Sequence, residues 1–150
     1  MGLLSALRRR PFLTPTECEQ IDAGLATARR HAGAPIDLVI DQRTTAAPDI
    51  RAQQLFEGWH LSEPERPRAV LVYACGATRR FAIVGGDEIR RTAPPVFWER
   101  LRRDLTRHFE ERRYCDGLFK AVADIAIMQH SLFVAPRGGD VQPPPDGSDP

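Results

Sequence analysis

Lysine is almost missing from this chain: of 21 basic residues one, Lys120, is lysine and the rest are arginine. Acidic and basic residues nearly balance at a net charge of +1, which excludes a global field that would gather nucleic acid or an anionic membrane. The arginines instead sit in short clusters such as Arg8-Arg9-Arg10, Arg79-Arg80 and Arg90-Arg91. These read as a compositional bias and as solvated helix faces, without the interleaved aromatics of a nucleic-acid surface. Paired cysteines are absent as well. Cys18, Cys75 and Cys115 are isolated and odd in number, with no CxxC or Cys/His spacing, so neither a disulfide framework nor a structural zinc site is implied. They are expected to be small buried hydrophobes in a reducing compartment. No apolar run nears the length of a membrane span, and Met1–Leu7 is too short an apolar stretch ahead of the arginines for a secretory signal. The expectation is a soluble, cytoplasmic protein. Catalytic signatures are missing too. There is no GxSxG, and Gly85-Gly86 is followed by neither a Lys-Ser/Thr pair nor a GxGxxG pattern, so it reads as a tight turn. His31, His60, His108 and His130 lie on separate elements without metal-ligand spacing and are expected at the surface or at helix ends.

What is present is a core for one domain: 150 residues, 42% of them hydrophobic. A basic arm precedes residue 12. Thr14, Pro15 and Glu17 form a capping-box start, and Cys18, Ile21, Leu25 and Ala28 follow at helical spacing to a close at Gly33. Ile36–Asp41 alternates apolar and polar residues, the pattern of an edge strand. A second helix starts at Pro48 and carries Ile50, Ala52, Leu55, Phe56 and Trp59. Val70–Ala74 and Phe81–Val84 make a hairpin around Gly76-Ala77-Thr78. A third helix opens at Pro94-Pro95 with Phe97, Leu101, Leu105 and Phe109, and a fourth opens at Asp116 and buries Leu118, Val122, Ile125 and Ile127 or Met128. Residues 135–150, with Pro143-Pro144-Pro145, read as a disordered tail. The order αβαββαα predicts a three-layer α/β/α sandwich, a small mixed β-sheet with helices on both faces.

From Phe12 to about Phe133 the sequence resembles the TPM domain family. The resemblance rests on Leu13-Thr14-Pro15-Thr16-Glu17, Gly33 with Ile36–Ile40, and Ala69–Tyr73. It continues through Arg80–Ile83 and Phe97-Trp98 to Tyr114 with Gly117-Leu118 and Ala121. It implies an α/β/α sandwich and a family whose members have been credited with divalent-metal binding and with phosphatase or nucleotide-hydrolysing activity. In the family pattern a glutamate precedes the first strand and an aspartate follows the third.

Parallel pairing of the first two strands, with the hairpin returning the third, brings those two positions to one end of the sheet. Two carboxylates there would suit calcium or magnesium. Here Pro35 takes the glutamate position and Gly86 the aspartate position. Asp87 and Glu88, displaced by one and two residues, are the remaining metal-ligand candidates, with Asp37 a third that also reads as a solvent-facing strand residue. Asp41 falls at the opposite end. Trp98 reads as a core anchor or as the wall of a ligand site at the acidic loop, and Arg90 as a solvated charge or a phosphate partner. The first function expected is a non-catalytic binding module with a weakened or rearranged divalent-cation site. The alternative is a metal-dependent phosphohydrolase built on Asp87, Glu88 and Asp37. The basic arm and the apolar positions near Phe119 and Phe133 suggest a homodimer.

Overall fold

The first helix forms where the sequence places it. In a computed structural model, which describes residues 12–134, Glu17 N–H donates to Thr14 Oγ1 (3.1 Å) and Thr14 N–H to Glu17 Oε1 (2.9 Å). Two otherwise orphaned donors are thereby satisfied, and α1 runs Pro15–Ala32 until Gly33 turns the chain at φ 73°. Next come β1 (Ile36–Asp41), α2 (Pro48–Glu57), a 3₁₀ turn (Arg66–Arg68), β2 (Val70–Cys75), β3 (Arg80–Gly85), α3 (Asp87–Thr92), α4 (Pro95–Glu110) and α5 (Tyr114–Phe133). The basic arm and the tail lie outside the described residues.

The sheet has the order β1-β2-β3, with β1 parallel and β3 antiparallel to β2. The register aligns Ile36 with Val70 and Val70 with Gly85, so the start of β1 and the end of β3 meet at one end. Asp41 aligns with Cys75 at the other. Every residue of β2 is buried, as a central strand requires. One core joins Val70, Val72 and Ala74 to α1, α4 and α5, and a smaller one joins Leu71, Tyr73 and Cys75 to Ala52 and Phe56 of α2. Helices therefore cover both faces, and the expected α/β/α architecture stands.

Details differ from the sequence reading. Asp87–Thr92, expected as a loop, is a short helix: Asp87 and Glu88 sit in its first turn and Arg90 and Arg91 in its last, the charge order the helix dipole favours. Ala93 precedes a proline and is forced into extended backbone (ψ 138°), which separates α3 from α4. α2 ends at Glu57, leaving Trp59 beyond it, and Ile50 is 54% exposed. In α5 Ile127 is 67% exposed because it lies about 200° around the helix from Ile125, which faces the core; Met128 is the one partly buried. Cys18 is exposed, although Cys75 and Cys115 are buried. His108, expected at the surface or at a helix end, lies in the last turn of α4 and is buried there, its Nδ1 donating to the Asp104 carbonyl (2.7 Å).

Candidate functional site

The end of the sheet where β1 begins and β3 finishes is closed by main-chain contacts. Val70 N–H donates to the Pro35 carbonyl (3.0 Å), and Gly86 N–H to the Ala69 carbonyl (2.9 Å). From beneath, Gln129 of α5 donates through Nε2 to the Pro35 carbonyl (2.9 Å) and to the Arg68 carbonyl (3.1 Å). Both lone pairs of the Pro35 carbonyl are thus used by protein donors. Gln129 is wholly buried, and its Oε1 has no partner among the described residues. The Arg66–Arg68 turn crosses directly above Gly86. A Cβ on Gly86 would stand 2.2 Å from the Arg66 carbonyl oxygen and 2.6 Å from the Pro67 carbonyl group. No side chain fits there without moving backbone.

The three candidate carboxylates each face an arginine. Asp87, 77% exposed at its side chain, pairs with Arg90. Glu88 meets Arg68 Nε at 3.0 Å. Asp37 meets Arg29 at 2.8 Å and also accepts from Leu38 N–H. Arg29 in turn donates to the Ile36 carbonyl (3.1 Å), which ties α1 to the start of β1. Among the described residues no group of three or more His, Cys, Asp or Glu is placed to hold a metal ion. The donor set as it stands does not fit a calcium or magnesium ion, which asks for six or more converging oxygens. Asp87, Arg90 and Trp98 do share one feature. All three line a cleft of about 940 Å³ whose floor is Ile83–Gly86 and whose walls come from α2 and α4. The indole N–H of Trp98 is buried there without a partner among the described residues.

A second polar cluster lies at the opposite end, where sequence reasoning saw no site. The Tyr73 hydroxyl, fully buried, donates to Asp41 Oδ2 (2.8 Å), and Arg51 Nε donates to the same oxygen (2.9 Å). Burial alone would raise the Asp41 pKa, but the bonds from Arg51 and Tyr73 outweigh it and hold the carboxyl below its ordinary value. Burial, then the bond to Asp41, pushes the Tyr73 phenol up to about 12. Nearby Cys75 would be raised by burial, yet hydrogen bonds from Thr78 and Ala77 bring it lower than usual. The thiol is nevertheless fully buried, and no base stands beside it in the cluster described here. The cluster ties the ends of β1 and β2 to α2. Its sequence signal was faint: Tyr73 is one hydroxyl in an otherwise apolar strand. Gln129 had a clearer one, a lone polar residue in helical register with Val122 and Ile125.

The family model of the TPM domain matches residues 9–127. The chain belongs to the TPM domain family. Three solved structures share the fold. BA42 protein from the psychrophilic bacterium Bizionia argentinensis matches with a TM-score of 0.72 and 19% identity, over 87% of this chain and 90% of that one. The N-terminal domain of a P. gingivalis protein gives 0.64 and 16%, over 81% and 79%. The N-terminal domain of the cg2496 protein from Corynebacterium glutamicum gives 0.60 and 9%, over 88% and 82%. At these identities the likeness is one of fold alone. No curated protein matches the chain. Pro35 and Gly86, the two positions where the sequence reading expected carboxylates, flank the start of β2 from opposite sides, bonded to Val70 and Ala69 respectively. Among the described residues no helix is long and apolar enough to cross a membrane.

Proposed function

We propose that this TPM domain is a non-catalytic binding module in which the divalent-cation site at the end of the sheet is lost. The observation that carries the reading is the contact at Gly86: the Arg66 and Pro67 carbonyls occupy the volume an aspartate side chain would need. Two further features support it. The Pro35 carbonyl already accepts from Val70 and Gln129, and Asp37, Asp87 and Glu88 are each neutralised by an arginine. A cation would have to break those pairs and recover their energy from scattered oxygens. Calcium or magnesium titration followed by amide NMR shifts tests this. No saturable shifts are expected at residues 34–37 or 85–88, and a saturable set confined to those residues would sink the reading.

The second reading, a metal-dependent phosphohydrolase, is favoured by the cleft that gathers Asp87, Arg90 and Trp98. It requires the Asp87–Arg90 pair to open, so that the carboxylate meets a metal and the guanidinium a phosphate. Metal-dependent release of phosphate from a phosphomonoester, abolished by Asp87→Ala, would establish it in place of the module.

A further inference from the structure

β1 is an edge strand, and its outward side has no strand partner among the described residues. The register fixes which main-chain groups face that side. Val70 N–H bonds the Pro35 carbonyl and Gly76 N–H the Asp41 carbonyl, and main-chain groups alternate along a strand, so Asp37 and Val39 also turn theirs toward β2. Ile36, Leu38 and Ile40 then direct theirs outward. A bare edge of this kind is a template for another strand. Its simplest partner is the same edge of a second copy, because two β1 strands across a two-fold axis run antiparallel and offer each other the same groups.

The start of this edge is already taken. Arg29 Nε donates to the Ile36 carbonyl (3.1 Å), and Leu38 N–H donates to Asp37 Oδ1 (2.8 Å). The same Oδ1 accepts from Arg29 Nη2 at 2.8 Å, which links the two side chains into one clasp. The two main-chain groups so covered are those that one residue of an incoming parallel strand would use. Its N–H would meet the Ile36 carbonyl and its C=O the Leu38 amide. The guanidinium stands in for the first and the carboxylate for the second. The side chains also come from opposite faces of the sheet. Leu38 and Ile40 pack in the core shared with α1, from which Arg29 projects, whereas Val39, and by strand alternation Asp37, lie on the α2 side. They meet at the edge itself, where the backbone of a fourth strand would run about 4.8 Å from β1. The part left uncovered, the Leu38 carbonyl and the groups of Ile40, is shorter than the roughly three residues at which strands begin.

Energy argues for the same role. The side chains of Arg29 and Asp37 are 52% and 27% exposed, and an ion pair so open to water adds little to stability. Its placement matters more than its strength, since it removes from the edge the donor and the acceptor that would start pairing. We propose that the Arg29–Asp37 pair is a guard on β1: it imitates one residue of an added strand and keeps β1 from joining the β1 of a second copy.

Light scattering and amide hydrogen exchange on the full chain test it together. The native chain is expected to protect the Leu38 amide and to leave the Ile40 amide fast. The Arg29→Ala/Asp37→Ala double variant should self-associate beyond the state of the native chain as its concentration rises. When dilute it should exchange Leu38 about tenfold or more faster than the native chain, and when concentrated it should gain protection at Ile40. Val39, whose amide faces β2, should stay protected throughout, which certifies the fold. Asp37→Asn separates a guard from a simple tie between α1 and β1. It gives up the ion pair but keeps an oxygen for Leu38 N–H, so it should not associate, whereas Asp37→Ala should. If the double variant does not fold, these two single variants carry the test. A folded double variant that associates no more than the native chain would overturn the proposal. So would new protection at Ile83 and Gly85 of β3 in place of Ile40, or equal behaviour of Asp37→Asn and Asp37→Ala.

Discussion

Gly86 has ordinary extended backbone (φ −69°, ψ 173°), so it is glycine for proximity rather than for conformation. The 3₁₀ turn passes so near that one methyl would meet a carbonyl oxygen at 2.2 Å. Gly86→Ala is expected to destabilise the domain by about 2–4 kcal/mol in urea unfolding, because backbone rather than a flexible side chain must move. Gly86→Asp, which restores the carboxylate of the resembled pattern, should cost at least as much and confer no cation affinity. A tolerated Gly86→Asp that binds calcium would show that the turn can yield. This part of the site was half legible. The glycine at an expected aspartate could be read from the sequence, but its cause is a turn about 20 residues away in the chain, which no local pattern announces.

Among the elements, α5 does more than bury an apolar stripe. Gln129 stands in that stripe and holds the starts of β1 and β2 together through the carbonyls of Pro35 and Arg68. Gln129→Leu preserves volume and removes both bonds, leaving the Arg68 carbonyl buried without this donor. Loss of about 2–4 kcal/mol is expected in urea unfolding, with faster exchange of the Val70 amide, whose acceptor is the same Pro35 carbonyl. A change below about 0.5 kcal/mol would mean that water takes over the amide's role. The contrast between α1 and α3 shows what makes an element readable. α1 carries its start signal in Thr14 and Glu17 and its stop in Gly33. α3 spans six residues, too few to display a period, and its N-cap, Gly86, has no side chain to signal a start.

On the scale of the whole molecule, the Tyr73–Asp41–Arg51 cluster gives stability a pH dependence on both flanks. The Asp41 carboxyl lies below its unfolded value in the fold, so its contribution is present above that unfolded value and fades as pH falls through the folded one. The Tyr73 phenol lies above its ordinary 10.0, at about 12. It binds its proton more tightly when folded, so its contribution is intact below pH 10 and disappears as pH climbs toward 12. Thermal unfolding across the alkaline range should show a steeper fall for the native chain than for Tyr73→Phe. Phenolate absorbance should show a late transition that the substitution removes. Identical alkaline profiles for the two proteins would refute the coupling.

The sequence by itself determined the order of the strands and the longer helices, the mixed sheet with its central β2, and the family, and it placed Pro35 and Gly86 where the resembled pattern has carboxylates. Each of these is written in periodicity, turn chemistry or residue type, which act over a few neighbours. Only the tertiary structure decided that the Arg66–Arg68 turn fills the space beside Gly86, that Arg29, Arg68 and Arg90 face the three acidic candidates, and that Gln129, Tyr73 and Asp41 bridge elements. Such facts depend on where distant segments come to rest, and packing a whole core sets those positions, which no short stretch of chain encodes.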